Sequence, residues 1–253
     1  MLNKKETTMK IYTYYEDVGF KQQPELIEQW SISWQNNGFD TEVLTREDAK
    51  KSSFFNEYYD FVQEIHVAVK GEELPDDSYW LASQLEIVAW HTIQQPSFVS
   101  DYDIINKNWK FFGGLPSKVH WRDHCCPCFA SGDSRGWKRY IEFLLKRKDK
   151  IIEWCQSENI KTRRTEFGDQ DFLVALYKKC YLSSLLSVVD MSRHSDRICR
   201  HYDPDELQTY KKMQIYHLGH SPTWTVAQKL GYKHKDLELY RVIAAKEIIE
   251  MQK

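Results

Sequence analysis

Three pairs of aspartates in this chain are separated by a single residue: Asp101 and Asp103, Asp169 and Asp171, and Asp203 and Asp205. Two carboxylates so spaced can share a hard divalent cation, which takes oxygen ligands. Such a cation neutralises charge that develops on the oxygens of a departing diphosphate. Context separates the three pairs. Only Asp101 and Asp103 follow an apolar run with Phe98 and Val99 and precede another, Ile104 and Ile105. Pro204 cuts the third pair, which reads as a turn or a helix start. Asp169 and Asp171 stand where a helix is expected to begin, and acids there commonly cap free amides. For Asp101 and Asp103 the plainer alternative is a turn at a strand end.

Other chemistry-bearing residues cluster less tellingly. His120, His124, Cys125, Cys126 and Cys128 lie close together, but Cys126 and Cys128 are too near one another for the usual zinc spacing, and Cys155, Cys180 and Cys199 are scattered. Buried thiols explain the cluster more simply. Gly113 and Gly114, before Pro116, read as a loop.

The elements that must carry the first pair are legible. Residues 10–15 are β-branched and aromatic and predict a strand. Pro24 suits a first helical turn, and Leu26, Ile27, Trp30 and Trp34 recur at helical spacing until Asn36, Asn37 and Gly38 stop the helix. Residues 39–44 predict a second strand, so the chain opens βαβ, with parallel pairing in an α/β sheet. Residues 45–69 read as mixed helix with Thr45 as a cap. A further helix over 79–92 is capped by Asp76, Asp77 or Ser78. Residues 97–105 predict one short strand running into the acids. Beyond it, strands are expected at 117–121, 124–131 and 213–218, helices at 137–158, 165–177 and 235–253, and loops at 133–136 and 220–222.

In element order, residues 10–106 resemble the nucleotide-diphosphosugar transferases of the GT-A fold, in which a helix precedes a strand ending in an Asp-x-Asp motif. The late segment 213–224, where His217 follows Ile215 and Tyr216, is similar to the strand and histidine that complete the metal site in many members. The resemblance implies one GT-A-like, Rossmann-like α/β domain with a central, mostly parallel sheet flanked by helices. It implies a metal-dependent glycosyltransferase that moves a sugar from a nucleotide-diphosphate donor to a saccharide or glycan hydroxyl. Asp103 would be the principal ligand of Mn2+ or Mg2+, with Asp101 facing metal and ribose, and His217 and His220 the further ligands. Tyr12, Thr13, Tyr14, Ser83 and Tyr102 would lie along the donor. Asp171, then Asp169, would contact the acceptor or act as the base. The helix before the motif offers Trp80, Ser83 and Gln84 where family members often carry an arginine.

Composition bounds the rest. The 253 residues suit one large domain, and residues 1–9 read as a disordered tail before a domain at 10–253. With 35 basic and 37 acidic residues the net charge is −2, which gives no basic face for nucleic acid. No stretch approaches the roughly 20 apolar residues of a membrane span, so any membrane contact would be peripheral. Six cysteines in a chain this long suggest reduced thiols and a cytoplasmic setting. Two other functions share the same sheet and acids. A nucleotidyltransferase would show a Gly-rich basic loop after the first strand, where Glu16, Asp17, Val18 and Gly19 stand instead. A catalytically inactive nucleotide-sugar-binding module would lack metal-dependent turnover.

Overall fold

The computed structural model describes residues 9–19, 23–111, 115, 120–123, 126–162, 198–201, 214–233 and 236–252, without the side chains of 120–127, 158–162, 198–201 and 220–224. β1 (Met9–Tyr14), α1 (Gln23–Gln35) and β2 (Phe39–Leu44) form the expected βαβ unit, with Met9 beside Phe39 and Tyr14 beside Leu44 in parallel register. Gly38, at φ 86°, ends the α1 segment in the left-handed region that glycine enters without steric cost. Asp48 reaches back to the Thr45 amide (2.9 Å) at the start of α2 (Arg46–Ala49). α3 (Phe55–Lys70) follows, then α4 (Tyr79–Trp90), whose Ser78 cap accepts from the Trp80 amide.

The segment expected to be one strand at 97–105 is two. β3 (Ser97–Ser100) belongs to the main sheet and β4 (Ile104–Asn106) to a second one. β5 (His120–Asp123), β6 (Cys126–Gly132), α5 (Ser134–Leu145), α6 (Lys148–Thr162), β7 (Ile198–His201), β8 (Ile215–His217), α7 (His220–Lys229) and α8 (Leu237–Glu250) complete the described elements. Two further expectations are corrected here. The long helix at 137–158 is α5 and α6, and it starts earlier because the Asp133 carboxylate caps the Gly136 amide (3.0 Å). The loop at 220–222 is the first turn of α7, where Pro222 loses nothing by lacking an N–H. The helix expected at 165–177 lies outside the described residues.

The main sheet runs β2-β1-β3-β6-β5. β2, β1 and β3 are parallel; β6 is antiparallel to both β3 and β5, so β5 runs with the parallel set. This is an α/β, Rossmann-like arrangement. From β1 the chain goes to one side for β2, then returns past β1 to the other side for β3. The order therefore reverses between β1 and β3, and in sheets of this kind ligands bind beyond the carboxyl ends of the strands at such a reversal.

Side-chain alternation along the strands builds a core on each face. Ile11 and Phe98 pack with Leu26, Trp30 and Trp34 of α1 and with Tyr240 and Ala244 of α8. Tyr14 and Val99 pack with Leu81, Leu85 and Val88 of α4. Among the described residues no helix is long and apolar enough to cross a membrane.

Candidate metal centre

β3 stops at Ser100, beside that reversal in strand order. The Asp101 amide still donates to the Cys128 carbonyl (3.0 Å) and extends the ladder by one bond. The Ile104 amide then turns back to the Asp101 carbonyl (3.1 Å), so both acids sit in one four-residue turn. Two tryptophans of α1, one helical turn apart, brace its ends. Trp30 Nε1 donates to Ser100 Oγ (2.9 Å), and Trp34 Nε1 donates to the Ile104 carbonyl (3.0 Å).

The second sheet brings in the histidine. β4 pairs antiparallel with β8, Ile104 opposite His217, and the Leu218 amide donates to the Asp103 carbonyl (2.9 Å). His217 Nε2 then lies 3.5 Å from Asp103 Oδ1. One ligand atom each from Asp101, Asp103 and His217 can be chosen so that all lie within 4.8 Å of one another. A small divalent cation holds its ligands at about 2.1 Å, so two donors on one ion stand roughly 3 to 4 Å apart. The three side chains would have to draw together slightly to share such an ion; the two carboxylates are the oxygen donors that Mn2+ and Mg2+ take, and the imidazole is a borderline ligand beside them.

Gly219 makes room for this ring. A Cβ there would stand 2.8 Å from Nε2 and 2.9 Å from Cε1 of His217. Its φ of −57° is open to any residue, so the need for glycine is one of space.

Arg241 of α8 sits behind Asp103. Its guanidinium donates to Asp103 Oδ2 and, through Nη1, to both oxygens of Glu238 at 3.0 Å. The side chain is only 2% exposed. Burial opposes the charge, but Asp103 and then Glu238 more than offset it, and the Arg241 pKa lies above the usual guanidinium value.

Two tyrosines complete the surroundings. Tyr102 accepts a hydrogen bond from Gln23 Nε2 (2.6 Å), and burial pushes its pKa up to about 12. Tyr79, at the start of α4, is pushed well above the usual phenol range by burial and by Tyr102, Asp101 and Asp103.

The other expected residues fall as follows. Tyr12 is partly buried, Thr13 is fully buried, and Tyr14 is buried with its hydroxyl on Glu16, at the carboxyl end of β1. Ser83 bonds back to the Trp80 carbonyl (2.9 Å) within α4. His220 opens α7, but its side chain, like all of Asp169 and Asp171, lies outside the described residues. Cys128 and Cys155 are buried, and neither is in a disulfide.

Sequence reading missed Arg241, Glu238 and Tyr79, and it took Gly219 as room for a phosphate where the structure sets the His217 ring against it. For Arg241 a signal existed. It stands on the stripe of Leu237, Tyr240, Ala244, Ala245 and Ile248, where a charge is out of place unless it has a buried partner. Compared with known proteins, the chain matches no family model and no curated sequence.

Proposed function

We propose that this chain is a metal-dependent glycosyltransferase that uses a nucleotide-diphosphate sugar as donor and a saccharide or glycan hydroxyl as acceptor. The observation that carries the reading is the meeting of Asp101, Asp103 and His217 at the carboxyl end of β3, beside the reversal in strand order. Doubly wound sheets bind ligands at that edge. Resemblance to the nucleotide-diphosphosugar transferases of the GT-A fold points the same way.

In this reading Asp101, Asp103 and His217 hold Mn2+ or Mg2+, with His220 as a further ligand. The bound ion supplies charge neutralisation for the departing diphosphate. Asp101 also faces the donor's ribose. The donor lies along the edge between the ends of β1 and β3, near Tyr12, Thr13 and Tyr14. Asp171, with Asp169 second, takes the proton from the acceptor hydroxyl oxygen in an inverting reaction. A cytoplasmic setting belongs to the same reading.

The test is a screen of UDP-sugar and GDP-sugar hydrolysis with Mn2+ and with EDTA, repeated on Asp101→Asn. We expect turnover of at least one donor only with Mn2+, and a loss of at least about a hundredfold in the variant, as for removal of one electrostatic stabiliser. Equal turnover in EDTA, or full activity in Asp101→Asn, would remove the assignment.

A further inference from the structure

Resting on the metal reading above, we propose that Arg241 is the positioning residue of the centre, holding Asp103 by one oxygen so that the other is presented to the cation. Three observations converge on this role. Arg241 bonds Asp103 at Oδ2, while Oδ1 is the oxygen near His217. Both oxygens of Glu238 accept from Nη1 at 3.0 Å and anchor that end of the guanidinium, while Nη2 faces Asp103. The fork is buried: the Arg241 side chain is 2% exposed and Glu238 12%. A planar guanidinium can hold two carboxylates in a fixed relation, whereas an ammonium acts as a point charge.

A second role for the same arginine, that of mere counter-ion, predicts the opposite outcome. A guanidinium beside a cation repels it, so removing a simple counter-ion would tighten metal binding. If Arg241 positions Asp103, its removal leaves Asp103 and Glu238 as buried like charges with no cation between them. Asp103 then turns away from Glu238, and Oδ1 is lost to the site. The sign of the change in affinity separates the two.

The experiment is a titration of free Mn2+ by electron paramagnetic resonance at low temperature, with wild-type protein, Asp101→Asn, Arg241→Gln and Arg241→Lys. Loss of a residue that orients a ligand typically weakens metal affinity about 10- to 100-fold, and we expect that range for Arg241→Gln. Arg241→Lys should fall between it and wild type, and it decides the matter if the glutamine variant does not fold. The Co2+ absorption spectrum should change in both variants, a signature that a loss of fold stability alone would not produce. Unchanged or tighter Mn2+ binding in the folded Arg241 variants overturns the inference and leaves the metal centre standing. Absence of Mn2+ binding in wild type overturns the centre and the inference together.

Discussion

At the scale of single residues, His217 and Gly219 form one device. The imidazole lies over a backbone position that has no side chain, and a methyl group there would overlap Nε2 and Cε1. Gly219→Ala should therefore displace the ring, not the fold. We expect Mn2+ affinity to fall about tenfold, the scale of a lost ligand orientation, with the unfolding temperature nearly unchanged. A large loss of stability with normal Mn2+ binding would contradict this. Asp103 is a less clean target. The sequence suggests that Asp103→Ala would abolish activity and spare the fold, but the alanine would deprive a buried guanidinium of a partner, a change that costs about 3–5 kcal/mol at comparable sites. Asp101, partly exposed, avoids that penalty.

At the scale of elements, α1 and the second sheet hold the turn between β3 and β4 from opposite sides. Trp34→Phe keeps an aromatic ring but leaves the Ile104 carbonyl without its indole donor. The expected cost is about 1–2 kcal/mol in urea unfolding, together with weaker Mn2+ binding. Lost stability with unaltered metal affinity would mean that the turn does not depend on α1. The opening βαβ unit was legible because every cue agreed: Pro24 at a helix start, Gly38 at its end, and β-branched or aromatic runs on both sides. The break of residues 97–105 into β3 and β4 was not legible. Asp101 and Asp103 are compatible both with a strand end and with a turn, and the deciding bonds come from Trp34 and Leu218, far away in sequence. Arg241 was hidden for a related reason, since its partner Asp103 is 138 positions away. The division of α5 from α6 carries no glycine or proline at Lys146 or Arg147 to announce it.

At the scale of the whole molecule, strand order places the acids where ligands bind. β2 and β3 lie on opposite sides of β1, with α1, which leads to β2, packed on one face of the sheet and α4, which leads to β3, on the other. In sheets of this order ligands bind at the carboxyl ends of the strands beside such a reversal. The C-terminal part of the chain then closes the centre from behind, with His217 from β8 and Arg241 from α8. A sheet of this order supports many chemistries, and the site must decide among them. The sharpest discriminator is whether the nucleotide diphosphate binds through the cation. Calorimetric titration of UDP-sugars and GDP-sugars into the protein, with Mn2+ and then with EDTA, measures this directly. Saturable binding of at least one donor in Mn2+, lost in EDTA and in Asp101→Asn, is the predicted result; binding of equal strength in EDTA, or in the variant with Mn2+, would contradict it.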